Sequence, residues 1–253
     1  MAILTGRKGT ITERDQRLLE AVFICRYLST RLIALLFFNS ASRARTRLPE
    51  LEKKGYLQKR SIYLVAPTRD HPGVRETVWH LTKAGFESVA ETLGSDETYT
   101  PKQLLPEKAR HYVRTAEVYV AARPGLDREL GSHPEWEWRH EKRAADAYEY
   151  ADTPYVHQPD AHVLFRDHVF IVERQTSESR LGPKGVYRKL AAHKRYVEVV
   201  LKKPEETQVL FACDDPAVAR VAERAGRDHG VYAVAGDVGR IAHHLYQSAL
   251  RLS

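Results

Sequence analysis

Residues 158–175 hold two β-rich runs joined by a short polar turn, and this segment constrains the fold more than any other. The runs read Ala-His-Val-Leu-Phe and Val-Phe-Ile-Val-Glu-Arg-Gln, a pattern that predicts an antiparallel hairpin. Side chains alternate between the two faces of a strand, so Glu173 and Gln175 share one face while Arg174 points to the other. Asp160 enters the first strand, where it can lie opposite them.

Two carboxylates at one end of a hairpin suit a divalent metal, because Mg²⁺ and Mn²⁺ prefer oxygen ligands. The segment resembles the PD-(D/E)xK nuclease motif: Pro159-Asp160 matches its PD, Glu173 its second acid, and Gln175 stands where that family most often has Lys. The resemblance implies Asp160, Glu173 and Gln175 as catalytic residues, with Asp160 and Glu173 holding Mg or Mn if the site is active. Gln offers only a neutral hydrogen bond where Lys offers a cation, which weakens the catalytic interpretation. An ordinary amphipathic hairpin is the alternative.

Other residues can complete such a site. Lys189 and Lys194 lie on a helix that follows the hairpin and are candidate phosphate contacts. Lys189 is also a candidate substitute for the missing motif cation. Glu117 or Glu141 can supply a third acid, as related folds often do from the first helix. Two histidines, His157 and His162, flank Asp160. A polar loop-edge role is expected for them, and a position next to the metal is the alternative.

The positive charge is concentrated in the first third of the chain. Of 253 residues with a net charge of +7, residues 1–94 hold 16 Lys and Arg against 9 Asp and Glu, while the remainder holds 24 of each. This asymmetry predicts a polyanion-binding module joined to a neutral one. No apolar run is long enough to span a membrane and the N-terminus has no signal-peptide core, so a cytoplasmic location without membrane contact is expected.

The same first third reads as a winged helix-turn-helix. Thr12, followed by acidic residues, predicts the start of a helix. Ser29 or Thr30 can cap a second helix, and Ser40 or Ser42 a third. Two strands and a closing helix are then predicted at 61–65, 76–81 and from Thr82 onward. In this arrangement the third helix enters the major groove of duplex DNA and the hairpin lies on the backbone.

The third helix and the hairpin carry the residues predicted to bind DNA. Those placed toward DNA are Ser42, Arg43, Thr46 and Arg47. Those placed on phosphates are Arg45, Lys59, Arg60, Arg69 and Arg75. The sequence alone does not separate base contacts from phosphate contacts.

The chain divides into a winged-helix domain (1–94), a polar linker (95–106) and a nuclease-like domain (107–253). The second domain shows the order helix, strand, hairpin, helix, strand, helix, which is compatible with a restriction-endonuclease-like mixed sheet flanked by helices. Helices are predicted at 104–122 and 141–148, with a loop at 124–134 between them. The fold class is therefore α/β, or α+β over the whole chain.

Both halves together resemble the replication-relaxation family of plasmids and integrative elements. Four segments carry the resemblance, besides Pro159-Asp160-Ala161, Glu173 and His111: Thr12–Asp15, Arg47–Leu57, Trp79–Gly85 and Lys189–Tyr196. The resemblance implies a DNA-binding winged helix, a nuclease-like second domain, and a role in the replication of a mobile element or its control.

Three functions remain open on the sequence. The first is a double-stranded-DNA-binding protein whose nuclease-like domain is degenerate, working with replication or mobilisation proteins of the element. The second is a Mg- or Mn-dependent endonuclease or nickase that uses Asp160, Glu173 and Gln175. The third is a winged-helix transcriptional repressor. A homodimer is compatible with all three, because winged helices often act in pairs.

Overall fold

The computed structural model describes residues 11–99, 106–131, 135–176 and 182–252. Two compact units are present, Met1–Ala116 and Glu117–Ser253. The division falls inside a long helix. Residues 100–105 of the predicted linker lie outside the described part of the chain, and the linker stays a prediction.

The first unit contains the predicted series of three helices, a hairpin and a further helix. Its elements are α1 (Glu13–Cys25), β1 (Leu28–Ser29), α2 (Thr30–Phe37), α3 (Ala41–Lys53), β2 (Leu57–Val65), β3 (Val74–Leu81) and α4 (Lys83–Leu93). The three strands form an antiparallel sheet in the order β1-β3-β2. Leu18, Leu19, Leu48, Leu51 and Val78 are fully buried and form its core.

Local capping explains where these helices begin. The Asp15 backbone N–H donates to Thr12 Oγ1 (3.2 Å), and the Thr12 N–H donates to Asp15 Oδ2 (3.0 Å), which makes a reciprocal capping box. Ser29 and Ser40 cap α2 and α3 through the N–H three residues on. Each cap provides an acceptor for an N–H that has no partner within its helix, as the sequence predicts.

A tight junction ties the start of α4 to the end of α3. The Thr82 hydroxyl donates to the carbonyl oxygen of Gly55 (2.6 Å) and also caps α4 at Gly85. A Cβ on Gly85 would lie 2.2 Å from the Tyr56 carbonyl oxygen. Only glycine therefore fits at position 85, and two of the segments that carry the family resemblance meet here.

The remaining elements follow from a helix that crosses the division between the units. They are α5 (Pro106–Leu130), β4 (Trp136–His140), α6 (Glu141–Ala144), β5 (Asp146–Tyr150), β6 (Thr153–His157), β7 (Ala161–Phe165), β8 (His168–Gln175), α7 (Pro183–Tyr196), a π-helical turn (Val197–Leu201), a 3₁₀ turn (Pro204–Glu206), β9 (Thr207–Cys213), α8 (Pro216–His229), β10 (Ala233–Gly236) and α9 (Val238–Leu252).

A five-stranded mixed sheet in the order β10-β9-β8-β7-β4 forms the centre of the second unit. Strand β8 is buried along almost its whole length, pairing parallel with β9 and antiparallel with β7, which explains its unbroken apolar run. Ile171 and Phe211 pack against Val186 and Leu190 of α7 and Ala222 of α8. The predicted α/β class, with a mixed sheet flanked by helices, is confirmed.

Two predictions for the second unit are wrong. Helix α5 continues through Pro124 to Leu130, where a loop was expected; the fully buried Leu126 anchors this part of the helix despite the missing N–H of proline. The predicted helix at 141–148 is short and is followed by the hairpin β5–β6. Tyr148 and Tyr155 stack across that hairpin at 5.7 Å, and such a contact is not visible in helical or strand periodicity.

Among the described residues, no helix is long and apolar enough to cross a membrane.

Candidate nuclease-like site and N-terminal basic face

Asp160 and Glu173 lie side by side at one end of the β7–β8 pair. The register pairs Ala161 with Val172, so the preceding Asp160 lies opposite Glu173. Asp160 Oδ2 accepts a 2.6 Å hydrogen bond from the backbone N–H of Arg174. Both acids are buried, with 8% and 1% of their surface exposed. The structure thus brings the two predicted carboxylates together.

Helix α7 brings two cationic or proton-bearing groups to Glu173. Lys189 Nζ contacts Glu173 Oε2, and His193 Nε2 lies 3.1 Å from Glu173 Oε1. Residues 189 and 193 are one helical turn apart and share a face of α7. Both oxygens of Glu173 are therefore engaged by this helix. His193 was missed by the sequence interpretation, although its i, i+4 spacing from Lys189 carries the signal.

Lys189 provides the positive charge that Gln175 cannot. Burial acts to lower the pKa of Lys189, but the negative charges of Glu173 and Asp160 outweigh burial and raise it. The ammonium group is therefore held charged beside both carboxylates. Lys189 reaches the acids from α7, whereas Gln175 stands on β8, and its predicted role as a substitute for the motif lysine stays a prediction.

The donor set does not fit a preformed divalent-cation site. Glu173 Oε2 is paired with Lys189, Glu173 Oε1 has His193 Nε2 at 3.1 Å, and Asp160 has one oxygen committed to a backbone N–H. Within the described residues, no three His, Cys, Asp or Glu side chains converge as a metal-ligand group. A cation would have to displace Lys189 from Glu173 before it could bind there.

The remaining predicted site residues lie in other surroundings. Glu117, a candidate third acid, pairs with Arg174 at 3.3 Å. The Arg174 guanidinium also donates to Asp214 (2.6 Å) and points to the opposite face of β8, as strand alternation predicts. Because Glu117 shares this partner, it lies away from Glu173.

Helix α7 also carries the second candidate phosphate contact. Lys194 is directed to the surface, with 42% of its side chain exposed, and pairs with Glu198 at 3.7 Å.

Glu141 accepts a hydrogen bond from Gln158 (2.9 Å), and its backbone N–H donates to the Asp160 carbonyl. Gln175 is buried at the end of β8, 4% exposed.

A chain of buried histidines leads away from Glu173. His157 Nε2 and His193 Nδ1 are 2.8 Å apart. The contact between His193 Nε2 and Glu173 is off the hydrogen-bond direction, yet the carboxylate charge favours a proton on that nitrogen. We therefore assign His193 Nδ1 as the acceptor and His157 Nε2 as the donor. This leaves His157 Nδ1 unprotonated, in agreement with its lack of a hydrogen-bond partner in the described structure.

Burial keeps His157 and His162 neutral. Burial and the nearby His193 and His162 lower the pKa of His157 to about 2, and burial, His193 and Arg139 lower that of His162 to about 3. The His157 ring stacks on Tyr196 with a centroid distance of 3.7 Å. The expectation of a polar loop-edge role is therefore wrong: both histidines are core residues, each 4% exposed.

In the first unit, α3 presents a polar outer face. Ala44, Leu48 and Leu51 point inward, while Ser42 and Thr46 are exposed on the opposite side. The Thr46 hydroxyl donates to the Ser42 carbonyl (3.3 Å), which leaves its oxygen available as an acceptor. Arg43 and Arg45 are also exposed on α3, and neither forms an ion pair within the described structure.

Arg47, predicted to face DNA, is instead part of the internal structure of this unit. Its guanidinium donates to both oxygens of the fully buried Asp15, through Nε at 3.0 Å and Nη2 at 2.5 Å, and also contacts Glu50. Burial acts to raise the pKa of Asp15, but the hydrogen bonds from Arg47 and Thr12 outweigh burial and lower it to about 2. Arg47 therefore holds α3 against α1.

A groove of about 860 Å³ lies between α2, α3 and the sheet. Arg45, Lys59 and Arg75 line it from two sides, above an apolar floor that includes Trp79. Lys59 also pairs with Glu52 at 3.1 Å. The other predicted phosphate contacts are the exposed Arg69 and the half-buried Arg60, and Arg75 lies 5.4 Å from the Tyr63 ring centre.

Comparisons with solved structures find remote similarity. Protein VC1899 from Vibrio cholerae matches 95% of this chain at 10% identity and a TM-score of 0.40, and the chain spans 57% of that protein. The restriction endonuclease FokI matches 98% of the chain at 10% identity, with TM-scores of 0.28 for one structure and 0.30 for its DNA-bound structure; the chain covers 74% and 73% of those two. No curated protein matches the sequence.

A family model described as Replication-relaxation matches residues 19–209. This range contains α2, α3, the β2–β3 hairpin and the Asp160–Glu173–Lys189 cluster, so it takes in both units. Since the match covers well over half of its length, the chain belongs to the replication-relaxation family.

Proposed function

We propose that this protein binds double-stranded DNA of a mobile genetic element through a winged helix formed by α3 and the β2–β3 hairpin. Its role is in the replication of that element or the control of replication. The nuclease-like second unit serves binding or assembly rather than cleavage. Family membership supports the connection with replication, and the geometry of the two units supports the other parts.

The exposed cations on α3 and the hairpin carry the proposal for DNA binding. Arg43 and Arg45 are exposed without ion-pair partners in the described structure, and Arg45 shares a groove with Lys59 and Arg75. Buried or paired arginines do not serve this purpose, which removes Arg47 from the set. Unpaired surface arginines that contact phosphates displace the cations condensed on the DNA, and the release of those cations drives association.

On this geometry, Ser42 and Thr46 face the major groove while the surrounding cations contact phosphates. The outward side of α3 has no large apolar side chain that would need covering by protein. The hairpin adds Arg75 in the groove shared with Arg45, and the exposed Arg69 in the segment that joins its strands.

The engaged state of Glu173 supports the non-cleaving interpretation of the second unit. Lys189 pairs with one of its oxygens and His193 lies 3.1 Å from the other, so the buried acid already has a compensating charge from Lys189. The alternative is an active nuclease. The position of Lys189 favours it, since a cation beside two carboxylates could hold a scissile phosphate.

Fluorescence anisotropy with a labelled 30-base-pair duplex tests the proposal. The Arg43→Gln/Arg45→Gln variant should lower the slope of log affinity against log salt by about 1.8, because each lost phosphate contact removes about 0.9. The matched control Arg17→Gln/Lys83→Gln removes the same charge from exposed positions on other helices of this unit. Equal slopes in the two variants would refute the assignment of DNA binding to α3.

A further inference from the structure

Helix α8 carries a regular stripe of arginines on its solvent side. Arg220, Arg224 and Arg227 are exposed and follow an i, i+4, i+7 spacing. The opposite side of the helix packs into the core through Ala219 and Ala222. None of the three arginines forms an ion pair within the described residues, so the stripe, which we call the α8 stripe, keeps its full charge.

Basic residues of the neighbouring helix extend the positive surface and outnumber the acids beside it. Helix α7 packs against α8 and exposes Lys184 and Arg188, which form no ion pair in the described structure either. Of the nearby acids, Glu223 pairs with Arg240 at 2.8 Å. Asp228, which follows Arg224 by one helical turn, accepts from the neutral Tyr187 hydroxyl at 2.6 Å and is one acid against the five basic side chains of this surface.

The chemistry of the α8 stripe favours a phosphodiester backbone. An α-helix rises about 1.5 Å per residue, so the three guanidinium groups leave the helix over roughly 10 Å along its axis, in a single row. Guanidinium groups bind phosphate oxygens in pairs of hydrogen bonds. A row of charges on a rigid helix therefore suits a polyanion with regularly spaced phosphates.

The α8 stripe lacks the large apolar side chains that a lipid surface or an acidic protein partner would need. A helix that lies on a lipid surface buries large apolar side chains, and a protein interface needs aromatic or aliphatic anchors. None of the exposed large hydrophobic residues of the described structure lies on α8. The other exposed positions of α8 are Pro216 and Ala217 at its start and Asp228 near its end, and none of them is a large apolar side chain.

We propose that the α8 stripe, together with Lys184 and Arg188 of the adjoining helix α7, is a second contact surface for the backbone of duplex DNA. It lies in the second unit and is distinct from the α3 and hairpin surface of the first. The overall neutrality of residues 95–253 conceals it, because their 24 basic residues balance 24 acidic ones in number and not in position. The second unit thereby gains a nucleic-acid role that needs no cleavage chemistry.

Anisotropy of full-length protein on the labelled duplex between 50 and 300 mM KCl tests the stripe. The variant Arg220→Gln/Arg224→Gln/Arg227→Gln should lower the slope of log affinity against log salt by about 2 to 3. The control Arg128→Gln/Lys142→Gln/Arg251→Gln removes three exposed charges elsewhere on the second unit and should lower it by less than 1. Circular dichroism melting of both variants confirms that they fold. Equal slopes would overturn the proposal.

The α3 variant separates this inference from the proposed function. If Arg43→Gln/Arg45→Gln retains wild-type binding while the stripe variant loses it, the second surface stands and the α3 assignment fails. If only the α3 variant loses affinity, the stripe proposal fails and the α3 assignment stands. Stripe-dependent binding to phosphatidylserine vesicles, with DNA binding unchanged, would overturn the stripe proposal in favour of a lipid surface.

Discussion

Replacement of Arg47 by Met should destabilise the first unit strongly, because it leaves the buried carboxylate of Asp15 without its cation. Arg47 contacts both Asp15 oxygens, and Asp15 has 0% of its surface exposed. Removing one partner of a buried ion pair costs about 3 to 5 kcal/mol. The pKa of Asp15, lowered from 3.8 to about 2, corresponds independently to about 2 kcal/mol at neutral pH. We therefore expect a loss of about 3 kcal/mol in the free energy of unfolding.

Urea-dependent hydrogen exchange of peptides from α1 and α3 measures this loss in the first unit alone. The double variant Asp15→Asn/Arg47→Met removes both charges and should recover more than half of it, since no buried charge remains. The contribution of Asp15 is present above its unfolded pKa and disappears as the pH falls from about 5 toward 2, whereas Asp15→Asn should lack this dependence.

A loss below 1 kcal/mol in Arg47→Met, or no recovery in the double variant, would refute the reasoning. An Arg47→Met protein that is as stable as the wild type but binds DNA more weakly would show that Arg47 contacts DNA.

Three further perturbations test other parts of the structure. His157 and His162 are neutral in the folded chain, so the free energy of unfolding should fall by about 3 kcal/mol between pH 7.5 and 5.5 as both protonate in the unfolded state. Urea titrations at each pH should show a smaller fall in the His157→Gln/His162→Gln variant. A wild-type unfolding free energy that does not change with pH would contradict the assignment. Lys189→Met should lower the free energy of unfolding by about 3 kcal/mol, because Glu173 would lose its cation. In the same urea unfolding assay, Lys194→Met, at a position on the surface of α7, should change it by no more than about 0.5 kcal/mol. Similar losses in the two variants would contradict the pairing of Lys189 with Glu173. Gly85→Ala should lower the melting temperature by several degrees because its Cβ meets a carbonyl oxygen at 2.2 Å, and an unchanged melting curve would contradict that close approach.

Local signals in the sequence were sufficient for the elements that local interactions create. The cap at Thr12, the caps at Ser29 and Ser40, and the β7–β8 hairpin depend on residues close in sequence, and all were predicted. Helix α5 past Pro124 was not predicted, since the burial of Leu126 in the fold overrides the local cost of proline.

Long-range partners decide the roles of the charged residues, and the sequence cannot supply them. Arg47 looks like an exposed helix residue until the fold brings Asp15 to it from α1. The position of Lys189 beside Glu173 could be suggested from the motif, but the participation of His193 requires the actual packing of α7 on β8.

The most direct test of DNA binding without cleavage is one incubation of supercoiled plasmid with the protein, in Mg²⁺, Mn²⁺ or EDTA. The products are resolved before and after removal of the protein, with Glu173→Gln alongside. We predict a shifted plasmid in all three conditions that returns to intact supercoiled DNA when the protein is removed. Metal-dependent nicking that Glu173→Gln abolishes would contradict the account and establish a nuclease. A plasmid that does not shift in any of the three conditions would refute DNA binding.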